Sequence, residues 1–122
     1  MKLYYCPPAV SIAPLIAALE LGLSIALEYV DLESKKTKSG EDLFTINPKG
    51  LVPVLKLDNG KRLTETPAIL QYIAGLKPES GLSAVVGTPD YYRIMEWMAY
   101  FASEIHKLFT LLFWEIDDRA KK

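Results

Sequence analysis

Two short segments carry the residues best suited to hold a small ligand: Val52-Pro53 before a predicted strand, and Glu65-Thr66-Pro67 at a predicted helix start. Proline lacks an N–H and holds the preceding residue extended, so Val52 can pair through its backbone with a bound peptide, above all if the Val52–Pro53 bond is cis. With Thr66 as N-cap and Pro67 at the first helical position, the helix N-terminus favours a carboxylate. Glu65 can accept a hydrogen bond from an ammonium group. Together the segments predict a pocket for a small peptide with a carboxylate; the alternative is a capped helix after a β-hairpin, with a structural proline.

The composition argues against several other kinds of protein. The 122 residues are 50% hydrophobic and 24% charged, with a net charge of -1, which suits a soluble globular protein and not one that binds nucleic acid through phosphates. No apolar run is long enough to span a membrane, and the N-terminus begins as a strand and not as a signal peptide. A single His and a single Cys offer no metal cluster, and one Cys fits a reducing cytoplasm. We therefore expect a cytoplasmic protein that binds neither metal, membrane nor nucleic acid.

The hydrophobic pattern predicts an α/β fold that would position these residues. The predicted strands are 2–5, 25–30, 54–57 and 61–63, and the predicted helices are 12–21 and 68–75, with a helical turn at 42–46. Segment 33–41 is rich in lysine and is predicted to be an exposed loop. Asn59-Gly60 between two strands is typical of a hairpin. The order βαβ then ββα predicts a four-stranded mixed sheet with helices against it, its first two strands parallel across the first helix.

The rest of the chain predicts a linker at 78–88 and a long helix that opens at Pro89 and extends to about Trp114. Its apolar positions recur at helical spacing: Ile94, Met95, Met98, Phe101, Ala102, Ile105, Leu108, Phe109, Leu112 and Phe113. One helix cannot bury so wide a stripe on a small domain, so we expect a partner chain or further helices to cover it. The polar tail 117–122 is expected to fray.

These motifs resemble the thioredoxin-like domain of glutathione S-transferases, with the bacterial beta class the nearest likeness. The resemblance is carried by residues 1–5, 11–14, 47–50, 63–69 and 104–107. It implies a glutathione-binding domain at 1–77 and, at 89–122, the first segment of an incomplete α-helical domain. It also implies a homodimer that transfers the thiol of glutathione to a hydrophobic electrophile.

The resemblance also implies roles for particular residues. Val52 would pair with the cysteinyl part of glutathione, Glu65 and Thr66 would hold the γ-glutamyl end, and Lys35 would lie near the glycine carboxylate. Four residues of the long helix would line the sulfur side or reach the partner's site. The residues assigned to glutathione binding are Lys35, Leu51, Val52, Pro53, Glu65, Thr66, Ser103, Glu104 and Lys107, and those assigned to catalysis are Ser11 and His106.

The sequence departs from the beta class at Val10, where that class has a cysteine that contacts the glutathione sulfur. Disulfide chemistry by residue 10 is therefore absent, but transfer needs only the thiolate of bound glutathione. Ser11 either donates a hydrogen bond to that thiolate or is only an N-cap. His106 is either a packed, hydrogen-bonded residue or a proton carrier on the sulfur side. Cys6 is either a structural thiol or a redox group.

Three functions follow from these alternatives. The first is glutathione transfer to an apolar electrophile. The second is a non-catalytic glutathione-binding or protein-interaction domain, which the missing cysteine at Val10 favours. The third and weakest is a thiol–disulfide reductase that uses Cys6.

Overall fold

A computed structural model describes residues 1–113, and its strands form a five-stranded mixed sheet. The strands are β1 (Lys2–Tyr5), β2 (Ala26–Asp31), β3 (Lys36–Thr37), β4 (Val54–Lys56) and β5 (Arg62–Thr64), in the order β3-β2-β1-β4-β5. β1 and β2 are parallel, and the remaining neighbours are antiparallel. The predicted α/β class, the parallel pair and the 58–60 hairpin turn are confirmed.

The prediction of four strands is wrong, because the lysine-rich segment contains β3. Thr37 is buried, and its hydroxyl oxygen accepts a hydrogen bond from the Glu41 N–H at 2.9 Å. The Lys38 N–H donates to the Tyr29 carbonyl at 2.8 Å, which holds the segment against β2. A two-residue strand is too short to show an alternating hydrophobic pattern, and its charged neighbours make the segment resemble an exposed loop.

Helices cover both faces of the sheet. They are α1 (Ile12–Glu20), α2 (Leu43–Ile46) and α3 (Thr66–Gly75), followed by a 3-10 turn at Pro78–Ser80. Neighbouring residues of a strand point to opposite faces, so Leu3 and Tyr4 of β1 enter different cores. One core joins α1 and α3 to the sheet through Leu3, Ala18, Leu21, Leu55, Ile69 and Ile73; the other contains Tyr4, Val30, Leu43, Ile46 and Val54. The buried Tyr4 is therefore a packing residue, and burial raises the pKa of its phenol.

The described residues divide into two compact units, Met1–Ser83 and a second that begins at Ala84. This boundary falls inside the predicted linker 78–88, whose limits stay a prediction. Within the first unit, the Ser83 hydroxyl lies 3.3 Å from the side-chain oxygen of Gln71. The start of the linker thus belongs to the first unit.

The second unit is helical, as predicted, but it is not a uniform α-helix. α4 (Pro89–Tyr100) is followed by a π-helical segment at Phe101–Ile105 and by α5 (His106–Phe113). Thr88 caps α4 by accepting a hydrogen bond from the Tyr91 N–H at 3.3 Å. Trp114 and the tail 117–122 lie outside the described residues. Within residues 1–113, no helix combines the length and the apolar character needed to cross a membrane.

Candidate functional site

The β4–β5 hairpin brings the two predicted ligand-binding segments to the same end of the sheet. In the antiparallel register, Val54 pairs with Thr64. Val52 lies two residues before Val54, and Glu65 directly follows Thr64, so both leave the sheet at this pair. Since Glu65 is also where α3 begins, a strand entrance and a helix N-terminus are adjacent. The predicted proximity of these segments follows from the hairpin register.

Val52 lies at a bend just before β4 and presents backbone polar groups that are free. The Val52–Pro53 bond is cis, and Pro53 is buried while Val52 packs partly against the core that contains Val54. β4 begins only at Val54. Among residues 1–113, neither the N–H nor the C=O of Val52 is hydrogen bonded to another group. Both groups remain available to an extended peptide, as the Val-Pro sequence indicates.

The start of α3 differs from the prediction in one position. Glu65, and not Thr66, occupies the N-cap, with φ 68° and ψ 120° and no side-chain cap. Thr66 is the first helical residue and Pro67 the second, so the predicted N-cap role of Thr66 is wrong. Positive φ is uncommon outside glycine, and such a conformation is seldom recognisable from sequence.

Two backbone donors are nevertheless free at this helix end, as expected. Proline has no N–H, and within residues 1–113 the N–H groups of Thr66 and Ala68 have no protein partner. The first unsatisfied N–H groups of a helix and its dipole favour an anion. The Glu65 carboxylate therefore adjoins donors suited to a second carboxylate, an arrangement that fits the ammonium and carboxylate of one α-amino acid.

Loop 47–51 connects the residues around this site. The buried Asn47 donates from its amide nitrogen to the Leu51 carbonyl at 2.8 Å and accepts from the Lys49 N–H at 3.2 Å. Lys35 Nζ donates to the Gly50 carbonyl at 3.0 Å. The structure therefore brings Lys35 to the loop that leads into Val52, and it leaves the Leu51 side chain exposed.

Lys49 is a residue of this site that the sequence analysis did not identify. Its Nζ lies 2.5 Å from Glu65 Oε1 and 3.0 Å from Thr64 Oγ1. The only sequence signal was its place in the Asn47-Pro48-Lys49-Gly50 turn, and nothing in that turn indicates a contact sixteen residues away. The predicted ammonium acceptor therefore already binds an ammonium group of the protein.

Gly50 is required where it stands, and we expect Gly50→Ala to lower the free energy of unfolding by about 1–2 kcal/mol. Its φ is 64°, and an added Cβ would lie 2.6 Å from Cε1 of Phe44. Because the Phe44 ring is half exposed, it can move, and the positive φ accounts for the remaining cost. Urea denaturation of the two single variants and of the Phe44→Ala/Gly50→Ala double variant separates the two terms. A double variant whose loss equals the sum of the single losses would contradict the clash.

Ser11 does not cap α1 with its side chain. It stands at the N-cap position but is fully buried, and its hydroxyl bonds to the backbone of Cys6. Ser11 Oγ accepts from the Cys6 N–H at 2.9 Å and donates to the Cys6 carbonyl at 3.0 Å. Its single proton is therefore in use, and a bond to a thiolate would require it to leave the Cys6 carbonyl.

Cys6 is a partly buried thiol beside this contact, and its role as a structural thiol or a redox group stays a prediction. Its Sγ lies 3.6 Å from the Pro7 carbonyl oxygen, and the Pro7–Pro8 bond that follows is cis. The negative charge of a Cys6 thiolate, followed by burial, raises the pKa of the Tyr29 phenol. Cys6 directly follows Tyr5, the β1 residue that pairs with Tyr29 of β2.

The remaining predicted residues belong to the second unit. Ser103 and Glu104 lie in the π-helical segment, and His106 and Lys107 begin α5; all four are exposed. Exposure of His106 contradicts its interpretation as a packed residue within this unit. Across the described residues, no group of three His, Cys, Asp or Glu side chains is placed to hold a metal ion.

Comparison with known proteins identifies relatives of this arrangement. The model of the glutathione S-transferase N-terminal domain matches residues 9–76. Glutathione S-transferase GstA of Escherichia coli O157:H7 is 47% identical over 113 residues, which cover 93% of this chain and 56% of that protein. The chain thus spans about half the length of the curated relatives it matches.

Solved structures agree with these relatives. A sphingomonad glutathione S-transferase complexed with glutathione has a TM-score of 0.93 and 48% identity, over 99% of this chain and 61% of that one. A bacterial beta-class glutathione S-transferase of Sphingomonas chungbukensis has a TM-score of 0.94 and 45% identity, with the same coverage of 99% and 61%.

Proposed function

Because the chain belongs to the glutathione S-transferase family, we propose that it binds glutathione through Val52, Glu65 and Thr66 and supports conjugation of the glutathione thiol to hydrophobic electrophiles. The observation that carries the proposal is the meeting of three complementary groups at one end of the β4–β5 hairpin. These are the free backbone of Val52, the Glu65 carboxylate and the unpaired N–H groups of Thr66 and Ala68.

Glutathione has a matching group for each of them. Its γ-glutamyl end carries an ammonium and a carboxylate on one carbon, which suit Glu65 and the helix N-terminus respectively. Its cysteinyl backbone suits the two free groups of Val52. Its glycine carboxylate suits Lys35, whose ammonium has three donors and spends one on the Gly50 carbonyl. A γ-linked peptide is favoured, because an α-linked glutamyl residue has no free α-carboxylate.

The chemistry at sulfur requires a stabilised thiolate, since a free thiol near pKa 8.5 is largely protonated at neutral pH. We propose that the dipole of α1 contributes to this task. On the family resemblance alone, His106, Ser103, Glu104 and Lys107 stay candidates for the sulfur side or for the partner's site. Ser11 is the weaker candidate, because its proton is bonded to Cys6. We further propose a homodimer in the cytoplasm, in keeping with the single cysteine.

A second candidate function is glutathione binding without turnover. Val10 stands where the beta class has a cysteine, and the adjacent Ser11 is buried with its proton in use. No reactive side chain is therefore offered at the start of α1. A reductase that uses Cys6 is the weakest candidate; its activity would disappear in Cys6→Ala, whereas a transferase would keep its own.

Calorimetric titration with glutathione, followed by an assay of conjugation to an aromatic halide, tests these proposals. We expect saturable binding of glutathione and binding at least about tenfold weaker of α-glutamyl-cysteinylglycine, which lacks the paired head group. Equal affinity for the two peptides, or no binding, would overturn the proposed binding site. Binding of glutathione without conjugation would leave the non-catalytic function.

A further inference from the structure

Lys49 forms an ion pair with the Glu65 carboxylate, the group that the proposed function assigns to the ligand's ammonium. Lys49 Nζ is 2.5 Å from Glu65 Oε1 and 3.0 Å from Thr64 Oγ1. The side chains of this pair are 51% and 66% exposed. A solvent-exposed ion pair is weak and exchanges partners readily. The pair is therefore poised for exchange, not fixed.

The base of the Lys49 side chain is held while its end is free to move. The Lys49 N–H donates to Asn47 Oδ1, and the following N–H of Gly50 donates to the Asn47 carbonyl at 2.8 Å. Asn47 is itself buried. The ammonium sits on a flexible four-carbon stem, so it can change its partner while the backbone stays in place.

Resting on the proposed function, we infer that Lys49 is a specificity residue that exchanges Glu65 for the α-carboxylate of the γ-glutamyl head group when glutathione binds. Two ammonium groups on one carboxylate repel each other, so the incoming ligand displaces Lys49. The ligand also brings a carboxylate on the same carbon as its ammonium, and that carboxylate becomes the new partner of Lys49. Charges then alternate along the site: Glu65, ligand ammonium, ligand carboxylate, Lys49.

This exchange makes the effect of Lys49 depend on the head group of the ligand. For a ligand with both charges, the displaced lysine recovers a partner and adds to binding. For a ligand with the ammonium alone, Lys49 is only a competitor for Glu65. Lys49 therefore selects for a complete α-amino acid head group and against a simple amine.

The test compares glutathione with γ-aminobutyryl-cysteinylglycine, which lacks only the α-carboxylate, on the wild-type chain and on Lys49→Met. We expect Lys49→Met to weaken glutathione binding about two- to fivefold and to tighten binding of the amine analogue by a similar factor, which is the range of an exposed ion pair. Lys61→Met is the matched control, because the Lys61 side chain has no hydrogen bond or ion pair within residues 1–113.

The sign of the change separates this role from a structural one. If Lys49 merely holds Glu65 in place, both ligands weaken together, and if it is a bystander, neither changes; either result overturns the inference. Failure of the wild-type chain to bind glutathione would overturn the proposed function as well, so the two failures are distinguishable.

Discussion

Replacing Ser11 with alanine is expected to lower the free energy of unfolding by about 1–2 kcal/mol, measured by urea denaturation. The Ser11 hydroxyl is fully buried and satisfies two backbone groups of Cys6, the N–H at 2.9 Å and the carbonyl at 3.0 Å. Alanine removes both bonds and leaves the Cys6 N–H without a partner, whereas the Cys6 carbonyl still accepts from the Ala9 N–H at 2.8 Å. Because Cys6 is itself only partly buried, water can reach these groups in part, which limits the loss.

Ser24→Ala is the matched control, because Ser24 is exposed and has no hydrogen bond within residues 1–113. We expect this control variant to change the free energy of unfolding by less than about 0.5 kcal/mol. A loss from Ser11→Ala no larger than that of the control would contradict the role of Ser11 in holding Cys6. The same variant tests the sequence-based hypothesis of a thiolate donor. If Ser11 donates a hydrogen bond to the thiolate, the pKa of the thiol of bound glutathione should rise in Ser11→Ala. Ultraviolet titration of the thiolate measures this change.

The features that sequence predicted well are those set by neighbouring residues. Asn59-Gly60 specifies the hairpin turn, and Val52-Pro53 lies outside the strand, which begins only at Val54. Pro67 marks the start of α3 to within one residue. The register of the β4–β5 hairpin then brings Val52 and Glu65 to the same end of the sheet. These two residues of the candidate site are therefore placed by local sequence signals alone.

The features that sequence missed depend on contacts between distant residues. The Lys49–Glu65 pair spans sixteen positions, and the Ser11 hydroxyl turns from its helix to Cys6, five positions away. A serine at a helix start satisfies the N-cap pattern whether or not it caps, so the pattern cannot separate the two outcomes. The π-helical turn at Phe101–Ile105 likewise leaves the apolar spacing nearly unchanged.

Glu65→Gly is expected to raise stability while removing function, a combination that is typical of strain held at a binding site. Glu65 has φ 68° and ψ 120°, which costs a residue with a Cβ about 1–3 kcal/mol. Glycine relieves this strain but loses about 0.5–1 kcal/mol through the entropy of its unfolded chain. We therefore expect a net gain near 1 kcal/mol in the free energy of unfolding, and a loss of about tenfold or more in glutathione affinity, because the ligand ammonium loses its carboxylate.

Glu65→Ala isolates the strain, because it removes the same carboxylate and the same Lys49 contact while it keeps the Cβ. Both variants should lose glutathione affinity equally in calorimetric titration, but only the glycine variant should become more stable than the wild-type chain in urea denaturation. A glycine variant no more stable than the alanine variant would show that the backbone at residue 65 holds no strain. Equal stability gains in the two variants would instead locate the cost in the Glu65 side chain. The difference in the free energy of unfolding between Glu65→Gly and Glu65→Ala therefore measures the cost of the backbone conformation at residue 65. The fold tolerates this cost while it holds the carboxylate where a ligand ammonium can reach it.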